Sequence, residues 1–245
     1  MSTSCLLNDF KSSTFKAFEH RIQLGGYYLA DMVWNKSLQK AFTKPQFDLA
    51  SIMYVGPDGI IPTTVMTKDE LEDAAQAFLH ALEVYKYARK HGQDRQREQR
   101  YLINNEPYVS VTQILQYVIA KPGLMGWIKK MVKEGKDPDQ IRDDKAAYGS
   151  GLHRVLEGYL RGEPISIVTP EQAAVVQKFS EVCLTTGAEV IVFDVPEENL
   201  EVPMIELNVF STEYGFAGTL DCGLKVNTEA FLAWVESFKK KAKTK

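Results

Sequence analysis

Residues 5–11 read Cys5-Leu6-Leu7-Asn8-Asp9-Phe10-Lys11, and residues 218–224 read Gly218-Thr219-Leu220-Asp221-Cys222-Gly223-Leu224. Each is a short apolar run broken by a carboxylate, the pattern of a strand with buried faces. In the first, a period of two puts Asp9 and Lys11 on one face and Phe10 on the other. In the second, a charge inside an apolar strand is costly unless it is paired or binds a metal. The two runs stand at opposite ends of a chain whose other segments alternate between helix and strand patterns. The fold class that follows is α/β (α+β), with a mixed central sheet flanked by helices.

Outward from Lys11, Ala17–Leu38 carries apolar residues at Ile22, Leu24, Tyr27, Tyr28, Ala30, Met32 and Val33, the spacing of an amphipathic helix. Phe47–Val55, the turn Gly56-Pro57-Asp58-Gly59 and Ile60–Met66 read as a hairpin. Thr67 with Glu70 is a capping box opening a helix to Lys90. His91–Glu106 is nearly devoid of apolar residues and reads as a linker. Helices are expected at Ser110–Ile119, Leu124–Lys133 and Lys145–Arg161, with Lys121-Pro122-Gly123 as a break. A further helix opens at Thr169-Pro170-Glu171 and stops at Gly187. Strands follow at Glu189–Phe193, Pro203–Ser211 and Phe216–Val226, and Thr228–Lys243 reads as a basic helix.

With 245 residues and 44% apolar content, the chain has enough material for one large domain or two small ones. No apolar run reaches the roughly 18–20 residues of a membrane span, so no membrane partner is expected. Met1–Phe10 lacks the basic start and long apolar stretch of a signal peptide. Cys5, Cys183 and Cys222 are odd in number and form no C-x-x-C, which points to reduced thiols in the cytoplasm, a host's cytoplasm for a viral chain. The net charge of −3 gives no hint of a polyanionic partner, but the charge is segregated. Residues 89–100, 121–136 and 239–245 together carry +12, and the remainder carries −15. Any single basic run reads as a solvated face; three of them make a surface for phosphates plausible.

Chemistry concentrates in few places. Asp9 and Lys11 suit metal-assisted phosphodiester hydrolysis, the carboxylate holding a divalent ion and the ammonium orienting water or stabilising charge on phosphorus. Asp221 suits a second ligand. His153 and Glu157, four apart on a helix, share a face, and Gly149 and Gly151 admit close backbone approach. Each also has a plain structural reading: a surface strand pair, a salt-bridged Asp, a satisfied His with a solvated Glu.

Taken together the motifs resemble the RecB-like branch of the PD-(D/E)xK nuclease superfamily, which includes phage exonucleases and the mitochondrial genome maintenance exonuclease. The matching residues are Ser110-Val111-Thr112, Trp127, His153 through Glu157, Gly218-Thr219-Leu220-Asp221, Asp9-Phe10-Lys11-Ser12-Ser13, and Gln23 with Tyr27. In the family the D-x-K and Q-x-x-x-Y motifs come last; here they come first. Joining Val226 to about Ser4 restores the order, so the resemblance implies a circularly permuted restriction-endonuclease-like core. Residues 1–90 and 107–226 would be its two halves, 91–106 the linker and 227–245 an added basic helix serving DNA contact or oligomerisation. The cut would fall at a hairpin tip, where chain breaks are tolerated.

The resemblance further implies Mg²⁺ or Mn²⁺ held by His153, Asp221, Asp9 and the carbonyl of Phe10, with Lys11 catalytic and Glu157 serving a supporting role or a second ion. Gln23, Tyr27, Ser110, Thr112 and Trp127 would support or contact the substrate. Tyr27 and Trp127 equally suit a core, and Ser110 and Thr112 equally suit helix caps. Glu206, on a strand leading toward the site, is a weaker candidate. The four cysteines of the iron–sulfur members are missing, so no Fe–S cluster is expected. The implied activity is a DNA exonuclease acting on single strands or ends. One alternative is a non-catalytic nucleic-acid-binding module on a nuclease-like fold, against which the intact set His153, Asp221, Asp9 and Lys11 speaks. The other is an assembly module, whose melting temperature neither metal nor DNA should shift.

Overall fold

A computed structural model describes residues 2–12, 18–56, 59–92, 100–120, 122–165 and 169–243. Ser13, Ala17, Pro57, Asp58, residues 93–99 of the expected linker, Lys121 and the last two residues lie outside that set.

The architecture is α+β, a mixed sheet with helices on both faces. Its central path runs β3 (Lys40–Thr43), β2 (Met32–Asn35), β11 (Ile205–Ser211), β12 (Phe216–Asn227), β1 (Thr3–Lys11), β4 (Leu49–Gly56) and β5 (Gly59–Thr67). The pair β1–β4 is parallel, while β12 runs antiparallel to both β11 and β1. One face is covered by α1 (Phe18–Leu29), α2 (Lys68–Lys90) and α3 (Val111–Val118), whose side chains join Leu7, Ala50, Ile52, Leu207 and Leu220 in one core. The other is covered by α5 (Pro138–Leu160), α6 (Pro170–Thr186) and α7 (Thr228–Lys243), packed on Leu6, Phe10, Met53, Cys222 and Leu224. Leu6 and Leu7 thus enter different cores, as a strand buried on both faces requires.

Local chemistry explains the elements that were expected. Thr67 and Glu70 form the reciprocal capping box of α2, Thr169 and Gln172 that of α6, and Gly187 closes α6 at φ +60°. Each cap contributes about 1 kcal/mol. Gly25 lets α1 press onto α2, because a Cβ there would collide with the Ala74 backbone.

Four boundaries differ from the sequence reading. The helix expected over 17–38 ends at Leu29, and Met32 and Val33 belong to β2, which forms a hairpin with β3. Apolar content alone did not separate the two, since Val33 is as buried in the sheet as a helical core residue would be. The linker expected over 91–106 already contains β6 (Arg100–Ile103), paired with β7 (Glu106–Ser110) through a turn at Asn104 and Asn105, both at positive φ. Asparagine tolerates that conformation, and Ile103 anchors the hairpin in a small core with Trp34 and Phe210. The helix expected from Lys145 begins at Pro138, capped by Asp137. The strand expected over 189–193 is split into β8 (Glu189–Val190) and β9 (Val192–Val195), and β9 pairs with β10 (Leu200–Pro203) in a separate hairpin. The helix α4 (Pro122–Lys133) carries the basic run after the break and packs on α5. No helix among the described residues is long and apolar enough to cross a membrane.

Candidate metal and phosphodiester site

The site forms where β1 parts from β12. The two strands pair from Thr3↔Asn227 to Asn8↔Cys222, and the ladder stops there. On the same edge of β12, β7 pairs only at Phe216 and Ala217. Between them the strand edge opens, and the N–H of Phe10 needs another acceptor. Asp221 supplies it: Phe10 N donates to Asp221 Oδ2 at 2.6 Å. One carboxylate oxygen is thereby fixed, and Oδ1 faces the ring of His153, 3.7 Å from Nδ1.

β12 also turns over at this point. Leu220 packs under α1–α3 and Cys222 under α5–α7, although a regular strand would send both to one face. On β11, Glu206 sits level with Asp221, between the pairs Ile205↔Cys222 and Leu207↔Leu220, with φ at +50°. That backbone is strained for a residue with a side chain. Glu206 Oε1 lies 3.9 Å from His153 Nδ1, and ligand atoms of His153, Glu206 and Asp221 all fall within 4.8 Å of one another. One imidazole and two carboxylates at that spacing suit a divalent ion. Glu206, the weaker candidate by sequence, stands inside the cluster; its signal was a lone acid in the alternating run Ile205-Glu206-Leu207-Asn208-Val209.

Asp9 approaches from the α1 side. Lys11 Nζ stands 2.8 Å from its Oδ2 and 3.1 Å from its Oδ1, but only the contact to Oδ1 has hydrogen-bond geometry. Among the described residues the buried Oδ2 makes no hydrogen bond and is faced by the Lys11 ammonium as an ion pair. Lys11 also donates to Gln23 Oε1 at 3.5 Å, and Gln23 Nε2 donates to the hydroxyl of Tyr27 at 2.6 Å. The Tyr27 ring lies against Gly218, where a Cβ would strike it. A single thread thus links the motifs: Gly218 admits Tyr27, Tyr27 fixes Gln23, Gln23 and Asp9 hold Lys11.

The charges are strongly coupled. Burial, then the neighbouring Asp9, pushes the Asp221 carboxyl up to about 7, although His153 and the Phe10 N–H pull against them. His153 is raised, chiefly by Glu206 and against its own burial, with Asp221 adding to the effect. Burial pulls the Lys11 ammonium down, yet Asp9, Asp221 and Glu19 outweigh it and leave it raised. Burial drives Tyr27 well up, so its hydroxyl stays protonated.

Two recesses flank this centre. One is lined by Gly149, Ser150, His153, Arg154, Glu157 and Glu206, with a volume of about 370 Å³. Glu157 is tied to Arg161 Nε at 3.1 Å, and the same guanidinium donates to the Ile205 carbonyl at 2.9 Å. The pair therefore pins α5 to β11 beside Glu206. The other recess, about 250 Å³, is lined by Lys11, Glu19, Gln23, Thr112 and Gln116 among others. Thr112 thus joins Lys11. Ser110 is buried at the β7–α3 junction and, at the N-cap position, makes no side-chain cap hydrogen bond. Trp127 is half-buried on α4 and lines neither recess among the described residues. No protein-family model matches the chain, nor does any curated protein or solved structure.

Proposed function

We propose that the protein is a metal-dependent deoxyribonuclease with a circularly permuted restriction-endonuclease-like core, hydrolysing phosphodiester bonds from single-stranded ends. The observation that carries this reading is the parting of β1 from β12, which sets His153, Glu206 and Asp221 within 4.8 Å of one another beside the Asp9–Lys11 pair. The permutation is supported by the register: Ser4 lies opposite Val226, so the first strand and the last pair as two arms of one hairpin would.

His153, Glu206 and Asp221 would hold Mg²⁺ or Mn²⁺, with Asp9 Oδ2 and the Phe10 carbonyl completing the oxygen set. A bound divalent ion supplies Lewis-acid polarisation of a phosphoryl oxygen and lowers the pKa of a coordinated water. Lys11, charged and held from two sides, orients the attacking water and offsets negative charge on the phosphorus oxygens. Asp221 keeps its geometry through the Phe10 N–H, and Glu157 with Arg161 acts on position, not on the proton. Thr112 and Gln116 offer neutral donors to the strand beside Lys11. The cations Lys129, Lys130 and Lys133 on α4 and Arg154 on α5 give a long-range attraction for phosphates.

The test is Mg²⁺-dependent shortening of an end-labelled single strand, with a circular strand as control. Asp221→Ala and Lys11→Ala are expected to abolish it. Full activity in Lys11→Ala would sink the mechanism. Binding of DNA without cleavage in Mg²⁺ or Mn²⁺ would leave a non-catalytic module, and equal loss of circular and linear strands would reject the need for an end.

A further inference from the structure

A further recess lies away from the carboxylates. It holds about 400 Å³ between the end of α2, β7, the start of α3 and the β11–β12 turn. Lys86 and Arg89 supply its charge, Gln113 its carboxamide, and Tyr85, Pro107 and Val109 its apolar surface. No acidic residue is among the described residues lining it, whereas each recess at the carboxylate site contains a glutamate.

Cations near the end of a helix ordinarily serve the helix dipole. Arg89 and Lys90 occupy the last turn of α2 and meet that need. Lys86 lies before it and does something else: its Nζ crosses to the β11–β12 turn and donates to the Tyr214 carbonyl at 3.0 Å. A carbonyl neutralises no charge, so this hydrogen bond leaves the ammonium positive beside the recess. The Arg89 guanidinium is steadied over the Tyr85 ring, 5.9 Å from its centroid. Gln113, only 3% exposed, lines the recess with a carboxamide.

A bare phosphate would leave most of 400 Å³ unfilled. The volume falls in the range of small-molecule sites, about 300–1,000 Å³, where a few polar groups fix a ligand against apolar walls. α3 separates this recess from the one beside Lys11, since Thr112 and Gln116 face Lys11 whereas Gln113 lines the recess described here.

We propose that this recess binds a nucleoside monophosphate unit, with the phosphate between Lys86 and Arg89. The base would lie along Pro107 and Val109, with its edge hydrogen-bonded to the Gln113 carboxamide. The unit is either a free nucleotide or the phosphorylated end of a strand. The assignment is independent of the nuclease reading, because it uses none of the carboxylates and needs no metal.

The experiment is ¹⁵N-detected titration of the full chain in EDTA with deoxyadenosine 5′-monophosphate, a 5′-phosphorylated single-stranded oligonucleotide and inorganic phosphate. The expected result is saturable movement of the Gln113 carboxamide and Gly215 amide signals. Lys86→Ala/Arg89→Ala should weaken that binding roughly tenfold or more, while Asp221→Asn leaves it unchanged. Saturation by the mononucleotide identifies a free nucleotide; saturation by the oligonucleotide alone identifies a strand end. The proposal is overturned if neither moves these signals, if inorganic phosphate binds as well as the nucleotide, or if the double variant binds like the wild type.

Discussion

The two sides of Asp221 are built from different chemistry. Toward α5 stand an imidazole and the Glu206 carboxylate, with ligand atoms of His153, Glu206 and Asp221 within 4.8 Å of one another. Toward α1 stands a continuous hydrogen-bonded thread, Asp9–Lys11–Gln23–Tyr27, that ends in a buried ring. The first side gathers ligand atoms that a cation could bridge; among the described residues the second is satisfied by its own hydrogen bonds apart from Asp9 Oδ2. The lesson is a division of labour: one side holds charge, the other holds a positive group in a fixed place.

The largest effect expected is on the ligand side. On the proposed function, Mg²⁺ or Mn²⁺ is expected to raise the melting temperature, and Asp221→Ala should abolish that rise and lower cleavage by at least about 10³-fold. Lys11→Ala should lower cleavage by roughly 10²–10⁴-fold while the metal-induced rise persists. Loss of the metal response in Lys11→Ala would show that the two sides are one unit and end the comparison.

Next in size is the pH dependence of the metal-free protein. The Asp221 carboxyl is raised to about 7 from 3.8, so its stabilising proton is fully bound below 3.8 and is lost as pH rises through about 7. His153, raised above 6.5, acts in the same direction, with its contribution present below 6.5 and lost above. Chemical denaturation should therefore show stability falling between about pH 4 and 7, by at most about 1.4 kcal/mol per pH unit for each proton. Asp221→Asn should flatten that fall and, without metal, exceed the wild type in stability at pH 7.5. A flat wild-type profile would mean the carboxylates do not crowd one another.

The smallest effects belong to the far end of the α1-side thread. Tyr27→Phe removes the hydroxyl that receives the Gln23 hydrogen bond and should cost about 1 kcal/mol in denaturant unfolding. Gln23→Ala should reduce cleavage about tenfold without altering metal affinity, measured by titration of Mn²⁺. An unaltered cleavage rate would show that Asp9 alone fixes Lys11.

Much of this site was legible in the residues. An acid inside the apolar run Gly218–Leu224 marked a costly charge, whereas D-x-K on a strand and His153 four residues before Glu157 gained meaning only in combination. Asp9, Lys11, His153 and Asp221 stand close together. Glu206 was harder to read, because its placement depends on a left-handed backbone at φ +50° that no propensity indicates. The β2–β3 hairpin was hidden by the apolar residues Met32 and Val33 continuing the helical rhythm of α1. Only Asp31 betrays it: its carboxylate accepts from Thr212 N and its carbonyl from Lys44 N, fixing a corner between elements far apart in sequence. The split of β8 and β9 likewise depends on neighbours, since Ile191 N donates to Gly223 and its carbonyl accepts from Met204.

The pairing of Ser4 with Val226 has a consequence for the order of assembly. β1 lies between β12 and β4 in the sheet, yet β12 leaves the ribosome more than 200 residues after it. Until then one edge of β1 has no partner, and Leu6, Leu7 and Phe10, all nearly fully buried in the finished protein, lack half of their cover. Contacts this distant along the chain make closure slow, because the entropy of the intervening loop is spent before the pairing rewards it. Until it closes, the half-formed sheet presents an unpaired strand edge, the kind of surface on which other chains can add a strand.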